Sequence, residues 1–211
     1  MIAKDTMTHD RPRHSPEPDT ALRRAFHDGS PDAVDAIVTM YFTDVLRYSI
    51  SLLRDEETAM EAVQETFLRV VEYHRTYDHT RLFRPWLFTI CRKCCGTMIK
   101  QRVSRAAKIV ELDEELHAIS KSVSPAPSAI ETLLREESEG IVIAALQELP
   151  EASRTVVFLH IFEDMTFKDI GTVTAMPAAS VSTLYYRALL QLRKRLVAPV
   201  PGDKEVQHHA S

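Results

Sequence analysis

Glycine, cysteine and long apolar runs are all scarce in this chain of 211 residues. It contains five glycines, and few of its segments alternate apolar with polar residues as a half-buried strand would. Leu, Ala, Glu and Arg are frequent, and these residue types favour helices. The sequence therefore predicts an all-α protein.

The three cysteines, Cys91, Cys94 and Cys95, are too few and too close together for a disulfide framework. Their i, i+3, i+4 spacing would place three thiols on one face of a helix, which leaves a zinc site or a redox sensor open. No fourth ligand stands at a standard zinc spacing, and free cysteine is commonly buried. The preferred interpretation is three small core residues, so neither a metal nor another cofactor is predicted.

Long hydrophobic runs are missing as well. The longest uninterrupted apolar stretches, such as 141–146, are far shorter than the roughly 20 residues that a membrane-spanning helix requires. Residues 1–19 are polar and lack the apolar segment of a signal peptide. We therefore expect a cytoplasmic protein that does not insert into a membrane.

Acidic residues are absent from two stretches, although the formal net charge is -4. Between Asp78 and Glu111 there is no acid, but the stretch contains Arg81, Arg84, Arg92, Lys93, Lys100, Arg102, Arg105 and Lys108. Between Asp169 and Asp203 the charged residues are Arg187, Arg193, Lys194 and Arg195. Binding to nucleic-acid phosphates requires basic surfaces, so this segregation predicts two DNA-facing surfaces.

Helical periodicity outlines a first domain at 30–105. Ser30 before Pro31 is typical of a helix start, and Asp55 begins a second helix with acids in its first turn. A polar break at 75–80 precedes a third helix that contains Trp86. We expect three helices with one shared core, in which Trp86 is a core residue rather than a platform for nucleic-acid bases.

Composition divides the rest of the chain. Residues 1–29 are predicted to be a flexible tail, and 106–129, which ends rich in Ser and Pro, a flexible linker. A second small helical domain is predicted at 130–197, with helices at 130–149, 152–162, 166–174 and 178–197. Residues 198–211 are predicted to be a second tail.

The last two of these helical patterns have the dimensions of a helix-turn-helix. They are joined by the short turn 175–177, and Thr166 with Asp169 resembles a capping box. In such a unit the second helix enters the major groove, and its N-terminal half reaches base edges. The candidate base-reading residues are Ser180, Ser182, Thr183, Tyr186 and Arg187. The alternative, a helical hairpin with a solvated basic face, is less favoured because the stretch lacks acids.

Two long motifs resemble conserved regions of bacterial RNA polymerase sigma factors. Residues 62–70 (AVQETFLRV) and 83–90 (FRPWLFTI) resemble the second region. Another group of residues resembles the fourth region: 149–151 (LPE), Arg154, 156–159 (VVFL), Glu163 and 166–170 (TFKDI). Two regions in this order, with a linker and no third domain, resemble the extracytoplasmic-function group.

The resemblance assigns surfaces of the first domain to partners. The polar face of the second helix would bind core RNA polymerase through Glu61, Gln64, Glu65 and Arg69. The alternative is a solvated face whose Glu65–Arg69 pair contributes a few tenths of a kcal/mol. The following loop and third helix would bind the melted minus-ten element through Tyr77, Arg81, Arg92, Lys93, Lys100 and Arg102. There Tyr77 would stack on an unpaired base while the cations hold phosphates.

Some positions depart from the family pattern. The third helix has Cys91-Arg92-Lys93 and Thr97 where the family usually has Ala-Arg-Asn and Asp. The helix predicted to bind the minus-thirty-five element has Ser182 and Leu184 where Lys and Arg are common. These departures predict an atypical promoter sequence.

Catalytic function has little support, because there is no Gly-rich phosphate loop, no nucleophile elbow and no recognisable carboxylate or His cluster. The chain is predicted to be a non-enzyme, an alternative sigma factor whose partners are core RNA polymerase, promoter DNA and, from the resemblance, an anti-sigma factor. The alternatives are a stand-alone helix-turn-helix regulator, a decoy that sequesters an anti-sigma factor, and a sensor built on the cysteines.

Overall fold

Helices are the regular elements of residues 14–113 and 145–196, the ranges that this computed structural model describes. In chain order they are α1 (Thr20–His27), α2 (Pro31–Leu53), α3 (Glu56–Glu72), α4 (Phe83–Asp113), α5 (Glu151–Ile161), α6 (Phe167–Thr174) and α7 (Ala178–Leu196). A 3₁₀ turn, His74–Thr76, follows α3, and residues 145–147 are helical ahead of α5. These ranges contain no strand, and the predicted all-α fold class is confirmed.

The helix starts in the first domain follow local chemistry. Pro31 occupies the first turn of α2, although Ser30 makes no side-chain cap bond. Asp55 caps α3, where its Oδ2 accepts a hydrogen bond from Thr58 N at 2.8 Å. Between the two helices Arg54 adopts the left-handed conformation, with φ 61°. This residue ends α2 and turns the chain directly into α3.

The core of the first domain lies among α2, α3 and α4, which pack pairwise. Its fully buried side chains include Ile37, Tyr41, Tyr48, Val63, Leu87 and Phe88. Each such side chain contributes about 1.5–3 kcal/mol through burial. Trp86 is partly buried and packs against this core, as predicted.

The predicted N-terminal tail is wrong for residues 20–27. They form α1, whose first turn is capped by Asp19 accepting from Leu22 N at 2.8 Å. Phe26 is fully buried, and its ring packs edge-on against Phe83 with 5.2 Å between centroids. This buried aromatic contact makes α1 part of the first domain. Residues 1–13 lie outside the described residues.

The predicted linker is also partly wrong. Backbone helix continues through Asp113, the end of α4, whereas the linker was predicted from residue 106. The rest of that linker, most of the helix predicted at 130–149, and the tail at 198–211 lie outside the described residues.

The second domain is built from α5, α6 and α7, which pack on one another. Thr166 caps α6 by accepting from Asp169 N at 3.2 Å, which confirms the predicted helix start. Ala175, with φ 56°, ends α6 in the left-handed conformation. At Gly171 a Cβ would lie 2.6 Å from Met176 O, so the tight turn requires glycine there. The turn between α6 and α7 is the predicted helix-turn-helix.

The two domains pack together, α5 against α2 and α6 against α4. By length and composition α2 could cross a membrane, but 56% of its apolar window is buried inside the protein. Its apolar residues therefore serve the core and the contact between domains.

Candidate functional sites

The polar face of α3 is accessible. Glu61 and Gln64 are exposed, and Glu65 and Arg69 are partly exposed. Arg69 Nε donates to Glu65 Oε1 at 2.6 Å. Exposed i,i+4 pairs contribute about 0.3–0.5 kcal/mol, so this pair can be exchanged for contacts with a partner at little cost.

An apolar side chain joins this face and was missed from the sequence. Leu68 is 67% exposed and lies with Glu61 and Arg69 along one groove. Within a helical pattern an apolar residue is ordinarily assigned to the core. The available signal was that Leu68 falls outside the stripe that contains Val63 and Phe67, both of which are buried.

The basic residues of α4 are accessible, but they do not share one side of that helix. Lys93, Lys100 and Arg102 are exposed, and Arg92 is partly exposed. Gly96 falls one turn after Arg92 and one turn before Lys100, and a Cβ there would have no neighbour within 4 Å. The structure thus brings together three of the six predicted minus-ten residues, Arg92, Lys93 and Lys100, beside the open space at Gly96. Arg102 lies on another side of α4, near Leu52 and Thr58.

Tyr77 is not available for base stacking in this structure. It is 1% exposed, its hydroxyl donates to Arg81 O at 2.6 Å, and its ring lies 5.1 Å from that of Phe83. Burial raises the pKa of Tyr77 to about 12. The prediction of base stacking failed because Tyr77 lies in a polar loop, where a side chain is expected to be exposed. Nothing in that loop indicates that the Tyr77 ring packs against Phe26 in the core. By contrast Tyr73, at the end of α3, is 43% exposed, although no contact with DNA was predicted for it.

Arg81, the other predicted residue of that loop, is exposed. Its Nε pairs with Asp78 Oδ2 at 3.1 Å. Arg81 therefore remains accessible to a phosphate, but it lies on the loop and not on α4.

The predicted base-reading residues lie along α7. Ser180, Thr183, Tyr186 and Arg187 are exposed, and Ser182 is partly exposed. Ser182 Oγ and Thr183 Oγ1 both donate to Ala179 O at 2.9 Å. Because their protons are used inside the helix, these hydroxyl oxygens retain only their lone pairs, which can accept hydrogen bonds.

The three cysteines are core residues, as preferred from the sequence. All three are buried, and the Cys91 thiol lies 3.5 Å from Ser49 Oγ. Burial raises the pKa of Cys91 and of Cys94, which disfavours the thiolate that metal binding or redox chemistry needs. This argues against the sensor interpretation.

Buried polar contacts join the two domains. Arg84 Nη2 of α4 lies 2.7 Å from Oε2 of Glu163, which follows α5, and both side chains are buried. Arg154 Nη1 donates to Ser51 O at 2.9 Å, across the domain boundary. We call these two contacts the interdomain joint. Arg154 and Glu163 were noticed in the sequence as motif residues, but nothing there indicated their partners.

Comparison with known proteins identifies the two domains. The family model "Sigma-70 region 2" matches residues 37–105, and "Sigma-70, region 4" matches residues 139–192. The ECF RNA polymerase sigma factor SigM of Bacillus subtilis is 22% identical over 160 residues, which cover 76% of this chain and 93% of that protein. The chain is an extracytoplasmic-function sigma factor.

Other relatives agree with this assignment. The RNA polymerase sigma-H factor of Pseudomonas aeruginosa is 27% identical to this sigma factor over 186 residues, which cover 85% of this chain and 94% of the relative. The fold resembles that of the sigma factor RpoE in its complex with the anti-sigma factor NepR from Bartonella quintana. That match has a TM-score of 0.59 and 18% identity, and it covers 79% of this chain and 98% of that one.

As a member of this family, the protein is a transcription initiation factor that directs RNA polymerase to particular promoters. The region 2 match contains α3 and most of α4, and the region 4 match contains α5, α6 and most of α7. The accessible faces described above therefore lie within the segments that define the family.

Proposed function

We propose that this sigma factor uses three separate surfaces to start transcription. The polar face of α3 binds core polymerase, the basic residues of α4 hold the melted minus-ten element, and α7 reads the minus-thirty-five element. The observation that supports this best is the exposure of basic residues on α4 and α7, two helices on different domains, within the acid-free stretches 79–110 and 170–202. The polymerase supplies the chemistry, so the sigma factor needs no catalytic activity of its own. It acts in the cytoplasm, because it acts on RNA polymerase.

The α3 surface combines an apolar centre with charged neighbours. Leu68 is well exposed, and Glu61, Gln64, Glu65 and Arg69 lie around it. An apolar side chain ringed by polar groups is the arrangement in which protein interfaces concentrate their binding energy. A partner that covers Leu68 would bury this side chain and pair the surrounding charges.

The α4 surface suits a single strand. Arg92, Lys93 and Lys100 would neutralise phosphates, and the bare Gly96 between them allows a backbone to approach closely. Arg102, on another side of α4, would bind a phosphate separately. With Tyr77 buried, capture of a base needs another aromatic ring, and the exposed Tyr73 is available for it.

The α7 surface supports recognition of amino groups. The hydroxyl oxygens of Ser182 and Thr183, whose protons are donated to Ala179 O, can accept from cytosine N4 or adenine N6 in the major groove, and Arg187 can donate to guanine. This differs from the Lys and Arg that the family commonly places in this helix, and it supports the proposal of an atypical promoter.

Regulation by an anti-sigma factor is part of the proposal. The similar RpoE structure was determined with the anti-sigma factor NepR. Exposed Tyr186 and Leu190 on α7 offer an apolar contact that such an inhibitor could cover. A protein selected by two-hybrid screening would count as the inhibitor only if it also suppresses transcription by the reconstituted holoenzyme.

The test is run-off transcription with purified core polymerase, with and without this protein, on upstream fragments of its own genome. New specific transcripts are expected, and Glu61→Arg should lower their yield by weakening core binding. Asp35→Arg, the same reversal on the exposed part of α2, serves as the matched control. Absence of core binding and of transcripts from the folded protein would overturn the proposal in favour of a stand-alone regulator or a decoy.

A second pair of variants separates the DNA surface from the core surface. Lys93→Ala combined with Lys100→Ala should leave core binding intact and reduce strand opening at the promoter. Arg24→Ala, which removes an exposed charge from α1, should change neither. Equal loss of core binding in the double variant would contradict the assignment of α4 to DNA.

A further inference from the structure

The loop 77–82 joins the 3₁₀ turn to α4 and carries the exposed Arg81. Inside the loop, Arg81 N donates to Asp78 O at 2.9 Å, and Asp78 Oδ1 accepts from Thr80 N at 3.0 Å. These two bonds close a turn within the loop. They fix its local shape but not its position on the domain, so that position depends on contacts with other elements.

Arg23 of α1 holds the C-terminal end of this loop. Its Nη1 donates to Arg81 O at 2.6 Å, and the same carbonyl accepts from Tyr77 OH at 2.6 Å. Its Nη2 donates to Thr20 Oγ1 at 3.2 Å, which anchors the other end of the guanidinium on α1. A carbonyl oxygen has two lone pairs, so Arg81 O can accept both bonds at once. The loop backbone is therefore tied at one atom to α1 and to its own buried tyrosine.

His27 holds the N-terminal end of the loop. Its Nδ1 lies 2.9 Å from Tyr77 O, and because a carbonyl can only accept, this nitrogen carries the proton and donates. The His27 ring also lies against the ring of His79 in the loop, with 5.2 Å between the centroids. Arg23 and His27 are four residues apart and so lie on one face of α1. One helix face thus holds both ends of the loop.

Glu17 fixes the residue that follows the loop. Its carboxylate accepts from the N–H of Phe83, the first residue of α4. The first N–H groups of a helix lack partners within the helix, and negative charge is favourable at that end. Glu17 therefore does for α4 what a local capping residue usually does, from 66 residues away in the chain.

All three of these side chains precede the segment that matches the family. The similarity to region 2 begins at residue 37, whereas Glu17, Arg23 and His27 lie ahead of it, and the loop lies inside it. The position of the loop in this protein therefore depends on residues that the family similarity does not include.

A loop held at both ends loses little freedom when it binds DNA. An unrestrained loop would have to be ordered on binding, and the cost of that ordering would lower the affinity. The contacts from Arg23 and His27 go to backbone carbonyls, and they leave Arg81 exposed and Leu82 50% exposed. α1 therefore fixes the loop without covering the side chains that could reach a DNA strand.

We propose that Arg23 and His27 are positioning residues that hold the loop 77–82 in place for the melted minus-ten element and thereby set the selectivity for its sequence. This rests on the proposed function, in which the loop and α4 bind that element. Neither side chain needs to touch DNA, because both act through the carbonyls of Tyr77 and Arg81. A contact that only stabilised the fold would change the stability of the protein but not its choice among minus-ten sequences.

Hydrogen exchange of the full chain, measured by mass spectrometry without polymerase, shows whether α1 holds the loop. Arg23→Ala should speed exchange in the peptide that covers 77–83 by roughly two- to tenfold, the effect of one lost hydrogen bond. Arg24→Ala, which removes the neighbouring exposed arginine, should leave the loop as in the wild type. His27→Ala should act like Arg23→Ala. His27→Asn, whose amide can donate from nearly the position of Nδ1, should restore the wild-type rate.

Selectivity is measured with the reconstituted holoenzyme on a promoter library in which only the minus-ten element varies. Arg23→Ala and His27→Ala should weaken the preference among minus-ten sequences by roughly two- to tenfold, and His27→Asn should restore it. In a second library, in which only the minus-thirty-five element varies, all three variants should keep the wild-type preference.

Unchanged exchange in the loop of the alanine variants would overturn the positioning role, and so would faster exchange with an unaltered minus-ten preference. Circular dichroism shows whether each variant is folded. If Arg23→Ala is not, Arg23→Met, which keeps a long side chain without a donor, takes its place. A wild-type holoenzyme that selects no promoter would overturn the proposed function and with it the role in selectivity, whereas the exchange rates still show whether α1 holds the loop.

Discussion

Two glycines in this sigma factor differ in what an added methyl group would meet. At Gly96 of α4 a Cβ would contact nothing within 4 Å, whereas at Gly171 of α6 it would lie 2.6 Å from a backbone oxygen. Glycine inside a helix costs about 0.8–1 kcal/mol relative to alanine. The first glycine is therefore dispensable for folding, and the second is not.

Gly96→Ala should raise the free energy of unfolding by up to about 1 kcal/mol, and Gly171→Ala should lower it. Urea titration followed by circular dichroism measures both. If Gly96→Ala also weakens promoter opening while it stabilises the protein, the added methyl group obstructs the DNA strand, as the proposed function requires. Destabilisation by Gly96→Ala would contradict the open space around this position.

Phe26 anchors α1 in the first domain, because its ring fills the space among the rings of Phe83, Tyr77 and Trp86. Phe26→Ala should lower the free energy of unfolding by about 3–5 kcal/mol. Leu68→Ala, at an exposed position, should stay within about 0.5 kcal/mol of wild type. Equal effects of the two changes in thermal unfolding would refute the burial of Phe26.

For single residues, the exposure of accessible side chains was easier to predict from the sequence than the packing of buried ones. Glu61, Lys100 and Arg187 are exposed because charge is costly to bury, and that preference is visible in the residue type. Tyr77 and Phe26 depend on which rings meet in space. No local sequence pattern predicts these ring contacts, since they join residues of α1, a loop and α4.

Among the elements, α5, α6 and α7 were predictable because strong local signals agree. Thr166 caps α6, the turn residues follow, and the apolar spacing continues on both sides. In α1 the signals are weak: eight residues, a polar and proline-rich approach, and two large apolar side chains, Leu22 and Phe26. Its position is decided by tertiary packing and not by propensity.

The recognition helix α7 gives a prediction at this scale. Arg187→Ala should relax selection at one base pair by about 1–3 kcal/mol, because its donors reach a base edge. Lys194→Ala, at an exposed position nearer the end of the helix, should weaken binding to all promoter variants alike. Transcription from a library of minus-thirty-five sequences distinguishes the two patterns, and identical profiles would contradict the roles.

At the scale of the whole molecule, the joint packs the two domains against each other. Arg84 and Glu163 are 79 residues apart in the chain, so their pairing leaves no trace in local sequence. The motif similarity predicted both domains and their order. It could not predict that they dock, because docking depends on the three-dimensional match of two surfaces.

Arg154→Ala should uncouple the domains, because it removes the donors that bridge Ser51 and Leu52 to the region 4 domain. Calorimetry of the wild type at pH 6 should show one unfolding transition, and the variant should show two. Arg193→Ala, an exposed arginine of the same domain, is the matched control. A single transition in the Arg154 variant at unchanged temperature would mean that the domains are not energetically coupled.

The residues that precede α2, including Glu17 and Phe26, bear on how fragments of this protein should be prepared. The similarity to region 2 begins at residue 37, and a recombinant fragment cut there would lose both Phe26 and Glu17. Such a fragment would have a cavity where the Phe26 ring packs, and the Phe83 N–H at the start of α4 would lose its acceptor. Weak DNA binding by this fragment could then be mistaken for a property of the domain. Fragments for crystallisation or binding assays should begin no later than residue 14, with any affinity tag placed at the other end.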